Sequence, residues 1–424
     1  MAQSVTNLAN TAMRIYDKVV HEQVFTKNVL FMNILSNVAR RQGATTKYFS
    51  VHYGRNIGSA AGTETVTLPT AGNQKYQQPS IAMKYHFHQI AITDVALQAS
   101  NRSKEFLVNV LESEYNGAKE DMQRQLSREG YADGTGIICR VNDATPDTTL
   151  TFDTPMVGKY PTDYFEADAT AADGGPVLFA SDTAGTTSQA FTTITAITGN
   201  YDMTVNSATG VVDNDYVFLA HANGTSSPTV ARNGTVEMMG LKGLIDDSSN
   251  VTTLQGLSRD TYIWWKSYVS SSGSQRSLSE ELMHTTYLEG KKKGVPKYAL
   301  TSFDLFSAYG QLLASDRRYT SEMQLNGGFT GVKFNDIALV ADYDCPYDEM
   351  YFVDPSVLSV EDLAPMSFLN EDGSILDRSA TTPTWNATLR LKIASIQSNL
   401  YNKLSKLLET LVRLIGYNVM PQLA

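Results

Sequence analysis

The spacing of apolar residues changes period several times along the chain, and each change predicts an element. Over 5–38, Leu8, Met13, Ile15, Val19, Val24 and Ile34 keep only a loose helical spacing. That pattern predicts an arm of helical tendency that needs an outside surface to cover it. From 43 to 88 the period becomes two. Lys47, Phe49, Val51 and Tyr53 share one face and Tyr48, Ser50 and His52 the other, then alternation resumes at Ile81, Met83, Tyr85 and Phe87. Between them, Gly54, Gly58, Gly62, Pro69 and Gly72 mark a polar tip, so the segment predicts a hairpin about 45 residues long, far beyond the usual loop of roughly 4–6 residues. The alternation then changes parity at Ile90 and Ile92, which predicts a bulge or bend.

Residues 103–129 give the clearest helix. Phe106, Leu107, Val110, Leu111, Tyr115, Ala118, Met122 and Leu126 form one stripe between a Ser103 N-cap and a terminating Gly130. At ~1.5 Å per residue it spans on the order of 40 Å. Its other face carries Lys104, Glu112, Lys119, Glu120, Arg124 and Arg128, a solvated face or one turned toward another subunit. Residues 145–235 are rich in Thr, Ala and Gly with turns about every ten residues, which predicts a small β-sandwich or barrel. Beyond it, helices are expected over 258–270, 277–292 and 302–314, and strands over 296–301, 332–341, 349–353 and 388–397. The leucines from Leu400 to Leu414 predict an amphipathic helix over 399–416.

Charge sharpens the division. Residues 141–235 hold eleven acids and two bases, a net −9 out of −10 for the 424 residues. The near-neutral remainder suits packing against copies of itself, while the acidic block should stay solvated. No apolar run approaches eighteen residues, so no membrane partner is expected, and the N-terminus lacks the pattern of a secretory leader. Cys139 and Cys345 read as buried small hydrophobes.

Recognisable chemistry is sparse. The chain has no GxxxxGK[ST], GxGxxG on a strand, HExxH, GxSxG or paired CxxC, and only six histidines. It therefore reads as a protein without catalytic, metal or cofactor sites. His86 and His88 share a strand face beside Lys84 and fit a metal pair or a structural role, with no third ligand in sight. Asp342 and Asp344 fit a cation site or a solvated turn at a strand end. Asp163, Glu166, Asp168 and Asp173 miss calcium-loop spacing. Lys291–Lys293 reads as a cationic helix end, with contact to nucleic acid as the alternative. Without a basic patch, sequence-specific DNA recognition is not expected, although weak contact with packaged DNA is compatible.

An apolar arm, a long glycine-tipped hairpin, one long helix, a β-rich insertion and a return to mixed structure together resemble a tailed-bacteriophage major capsid protein of the HK97-like fold. GLKGLIDD with LQGLSRDTYIWWKSYV, SLSEELMHTTYLEGKKKGVPKYALTSFDLFSAYGQLL and FNDIALVADYDCPYDEMYFVDPSVLSVEDLAPMSFLNEDGS carry the likeness. It implies an α+β fold with an N-arm (1–42), an extended loop (43–88), a peripheral domain (89–144 and 355–424) with spine helix 103–129, an all-β acidic insertion domain (145–235) and an apical domain (241–354). It further implies self-assembly into the icosahedral head of a tailed phage. Lys47, Phe49, Gly54, Gly58, Gly62, Lys75, Phe106 and Arg124 would lie between subunits. Partners would be other copies in pentamers and hexamers, portal and scaffolding proteins, packaged double-stranded DNA in weak contact, and a decoration protein. Assembly would take place in the host cytoplasm. Some members of the family crosslink through a loop lysine, but nothing marks Lys47 or Lys75 as reactive. A tail, fibre or surface-layer component, and a carbohydrate-active enzyme, are the competing readings.

Overall fold

The computed structural model describes residues 30, 38–40, 46–59, 61–64, 67–95, 104–169, 174–221, 230–272, 276–292, 294–315, 322–324, 330–335, 337–369, 377–378, 382–394, 397–398 and 412–415. Most of the expected N-terminal arm lies outside these residues. Strands dominate, arranged as two seven-stranded sheets with helices against them and a third seven-stranded β unit between.

The first sheet runs in the order Val38–Arg40, Leu358–Phe368, Thr384–Ala394, Ser80–Thr93, Thr46–Tyr48. Its backbone is the eleven-pair ladder from Thr384↔Thr93 to Ala394↔Met83. The ladder keeps one register throughout, so the parity change read as a bulge is something else. Ile81 and Met83 are buried on one face; His86, Ile90 and Ile92 are buried on the other, while Tyr85 and Phe87 are exposed. The strand stays regular and exchanges the face it covers.

The long helix, Lys104–Tyr131, packs on this sheet and buries Tyr115, Ala118, Met122 and Leu126 as its stripe requires. Gly130 does not end it. Tyr131 continues the helix because it is fully buried, donates from its hydroxyl to Asp342 Oδ2 at 2.8 Å and lies beside the Tyr351 ring. The polar face is not uniformly solvated either, since Lys119 and Arg128 are buried.

The Thr-rich block closes into a barrel. Ile137–Arg140 pairs with Tyr216–His221, then follow Pro176–Ala180, Ser188–Ile197, Asp202–Val205 and Thr149–Thr151. A bridge between Val141 and Phe152, flanked by Asn142 N–H to Thr151 O at 2.8 Å and Asp153 N–H to Arg140 O at 2.9 Å, returns the last strand to the first. Val141, Leu150, Phe152, Val177, Phe179, Ile194, Met203 and Val217 fill the interior. The ring begins at Ile137, ahead of the expected boundary at 145, because Ile137–Arg140 is one of its staves.

The second sheet is ordered Tyr268–Ser270, Val412–Ile415, Glu349–Val353, Tyr298–Thr301, Ile337–Ala341, Thr330–Phe334, Glu322–Gln324. Its central strands are near-continuous apolar runs because both faces are covered. Ala299, Leu339, Met350 and Phe352 join a cluster with the helices Glu280–Lys291 and Phe303–Ser315, whereas Leu300, Val340, Tyr351 and Val353 face the main core. Ser279 caps the first of these helices, accepting from Leu282 N–H at 3.2 Å.

One expected helix is absent from its place, and the described end of another is a strand. Over 258–270 there is a small hairpin, Thr253–Leu254 with Leu257–Ser258, then a short 3-10 turn Ile263–Trp265 and the strand Tyr268–Ser270. Fully buried Arg259 dictates this path. Its Nη2 donates to Gly243 O and Leu244 O, its Nη1 to Val251 O, and Asp246 lies 3.6 Å away. The predicted C-terminal helix 399–416 ends instead as the strand Val412–Ile415, inserted between Tyr268–Ser270 and Glu349–Val353. That slot satisfies its backbone on both sides and removes 412–415 from the peripheral assignment; 399–411 lies outside the described residues. Replacing Phe352 with Ala should cost about 3–5 kcal/mol of stability. Phe303→Ala, at an exposed ring, should cost at most about 0.5 kcal/mol; urea unfolding of the purified subunit compares them.

Candidate assembly interface

The hairpin that precedes the long helix is exposed over most of the described residues of its tip. Its arms pair Thr46↔Ala82 through His52↔Tyr76 in constant register and slip by one at Gly54↔Lys75. The inward face is the expected one. Lys47, Phe49 and Val51 are buried in the chain's own core, so Lys47 and Phe49 anchor the hairpin's base and leave little surface for a neighbour, contrary to the inter-subunit role expected of them. Tyr53 stacks on Trp264 at 5.5 Å and meets Tyr262 edge-on at 5.7 Å, while Gln77 Nε2 donates to the Tyr262 hydroxyl at 2.7 Å. Ser80 N–H donates to Gln255 O at 2.9 Å. The residues expected as helix 258–270 are therefore the buttress of the arm, a role that alternation alone does not reveal.

The tip is tied rather than hinged. Asn56 Oδ1 accepts from Gly58 N–H at 2.8 Å and Gly72 N–H at 2.9 Å, joining the two sides. A Cβ on Gly72 would come within 2.8 Å of that oxygen, and one on Gly54 within 3.0 Å of Lys75, so these glycines permit close approach. Gly62 and Lys75 are exposed. Ile57 and Leu68 stand out with 87% and 85% of their surface in solvent, and Tyr48 and Tyr76 are also exposed. Phe106 lies in the first turns of the long helix, with its side chain outside the described set. Arg124 is exposed and donates from Nη2 to Asp163 O at 2.8 Å.

Behind the arm, the end of the long helix holds a buried charge network. Glu129 sits with Oε2 3.3 Å from His86 Nε2, accepts from Gln125 Nε2 at 2.9 Å and from Met238 N–H at 3.1 Å. Burial opposes its charge, but His86, Arg128 and Gln125 outweigh burial and hold the carboxyl at about 2. Arg128 Nη2 pairs with Glu237 Oε1. Asp342 and Asp344, expected in a solvated turn, are instead buried. Asp342 takes the Tyr131 hydroxyl, and Asp344 takes those of Ser127 and, at 3.1 Å, Tyr164. Burial, with Asp344 alongside, pushes Asp342 up to about 6, and burial raises Asp344 as well. Both carboxylates thus accept from hydroxyl donors, and no group of three or more His, Cys, Asp or Glu suited to a metal occurs among the described residues. His88 is half-buried and apart from His86's partner Glu129. Lys291 lies over the Tyr287 ring at 5.7 Å and Lys292 pairs with Glu289.

These shifts set a pH dependence. Asp342, raised on folding, contributes stability that is complete below about pH 4 and lost as pH rises through about 6; Glu129, depressed, contributes stability present above its ordinary value and lost as pH falls toward about 2. The subunit should therefore gain on the order of 2 kcal/mol between pH 7 and pH 4.5. Asp342→Asn should remove that gain, as measured by urea unfolding at the two pH values.

No family model and no curated protein matches the sequence. Solved structures do. A chain of the cyanophage A-1(L) capsid asymmetric unit aligns with a TM-score of 0.52 at 12% identity, covering 92% of this chain and 93% of that one. A native GTA particle capsid chain gives 0.44 at 8% identity over 93% and 91%. The capsid chain of Myoviridae phage XM1 gives 0.41 at 9% over 89% of each. The cyanophage alignment, over nearly the whole of both chains, shows that this chain shares the fold of a phage capsid chain.

Proposed function

We propose that many copies of this chain assemble as the major capsid protein into the closed icosahedral head of a tailed phage, around its double-stranded DNA. The observation that carries this reading is the arm. Its base is fixed to its own body by Tyr53, Tyr262 and Trp264, yet its tied tip presents Ile57 and Leu68 almost wholly to solvent. Apolar side chains held at the end of a fixed excursion suit a surface on another molecule. The shared fold makes other copies of the same chain the natural partner.

On this reading the arm is the extended loop of an HK97-like subunit and the long helix its spine. The first sheet forms the peripheral domain, the second the apical domain, and the acidic barrel an outward insertion. The role is structural, with pentamers and hexamers, portal and scaffolding proteins, a decoration protein and weak contact with DNA as partners, and the virion as destination after assembly in the host cytoplasm. Lys75, Gly62 and Arg124 then belong to the contact surface, whereas Lys47 and Phe49 hold the arm's base.

Replacing residues 57–70 by a short Gly-Ser link should leave a subunit with normal circular dichroism that forms no shells by negative-stain microscopy. Normal particles from that variant would sink the reading. Ile57→Asp with Leu68→Asp should weaken each contact between copies by about tenfold, roughly 1.4 kcal/mol, and so abolish shells by negative-stain microscopy without changing subunit stability.

A further inference from the structure

We infer that the cleft between the long helix, the strand Ser80–Thr93 and the barrel is a binding site for a small oxyanion, phosphate or carboxylate. The cleft has a volume of about 300 Å³, with Arg124 and Arg128 from the helix, Arg232 from the barrel's end and His88 from the strand in its lining. Arg232 is half-buried. Burial and the neighbouring charge of Arg128 both pull its pKa below the usual guanidinium range, and only Glu237 and Glu129, acting through space, oppose them. Among the described residues its side chain makes no hydrogen bond or ion pair. Arg128 Nη2 pairs with Glu237, but its buried Nη1 also has no partner among these residues.

Desolvated guanidinium donors are costly when unmatched, since each carries five N–H groups and a charge. Glu237 holds Arg128 through Oε1 and keeps a buried Oε2 without a partner among the described residues, while the other nearby acids are mostly engaged elsewhere. Glu129 serves His86, Gln125 and Met238; Asp344 serves Ser127 and Tyr164; Asp163 accepts from the Tyr343 hydroxyl at 2.6 Å. Asp121 and Glu166 stand at the exposed mouth. Their charges disfavour a polyanion such as nucleic acid lying across the opening, while at physiological salt their field fades over about 8 Å and leaves a small anion free to enter. Charge-assisted bonds from arginines on two elements would clamp the helix to the barrel. The inference does not depend on the shell reading.

Titration calorimetry of the full chain with sodium phosphate and with sodium acetate, at ionic strength held constant with chloride, tests it. At least one anion should bind once per chain with a Kd below about 1 mM; which one binds separates tetrahedral from planar recognition. Arg232→Gln should weaken binding by about tenfold or more, the loss of one charge-assisted contact. Arg124→Gln, at an exposed position, should weaken it about threefold and decides the matter if Arg232→Gln does not fold. Lys266→Gln, at a distant ion pair, should leave it unchanged. Absence of binding by either anion at about 10 mM (far above that Kd), or binding that survives both arginine replacements, overturns the inference.

Discussion

Two adjacent charges, Arg128 and Glu129, are carried into the interior by the last turns of the long helix, and the rest of the structure is arranged so that each meets an opposite charge. A buried ion without partners costs several kcal/mol, so each part of the fold sends something to this point. The first sheet supplies His86, and the segment leaving the barrel supplies Glu237 and the Met238 N–H. Flanking them on the helix, Ser127 and Tyr131 engage the carboxylates of the turn that follows Ile337–Ala341 in the second sheet. Apolar packing alone would tolerate small slips among these parts. Directional, charged partners fix their register, which is the better-attested value of a buried ionic cluster.

The same requirement explains the strand Ser80–Thr93. Near its start it must cover the core under the arm with Ile81 and Met83; three residues further on it must bring His86 to the helix on its other face. A bulge could switch faces, but it would break the ladder with Thr384–Ala394. An unbroken strand with two coverings serves both ends, so Tyr85 and Phe87 are left exposed where alternation alone would bury them.

Much of the fold was legible in the sequence where local period and burial agree. The stripe Tyr115, Ala118, Met122 and Leu126 packs as its spacing indicates, the apolar runs of the second sheet are strands covered on both sides, and the frequent turns of the Thr-rich block close into a ring. Legibility fails where a distant partner overrides local preference. Arg259 reaches three carbonyls across its loop and replaces a plausible helix by a hairpin and a short turn. The leucine spacing near Val412 gives way to a slot between two strands more than fifty residues earlier in the chain. Of the candidate interface, the hairpin was readable from alternation and glycines, but its aromatic buttress and the Asn56 tie were not, because both join residues far apart in sequence. The resemblance implies Lys47 between subunits, whereas alternation already sets it on the face of Phe49 and Val51, which is buried opposite Ile81.

That tie bears on how such an arm could work between copies. A loop of about twenty free residues would have to lose its backbone entropy on docking, at roughly 1–2 kcal/mol for each residue fixed, which a few exposed apolar side chains could not offset. Asn56 holding both sides together, and Tyr53 held between Tyr262 and Trp264, mean that part of this ordering is already complete in the single chain. Burial of Ile57 and Leu68 can then count toward association instead of toward folding the arm. The glycines contribute by letting the two sides approach closely enough to be tied, so on the proposed reading the stiffness of the tip, and not its freedom, would equip it to meet a neighbour.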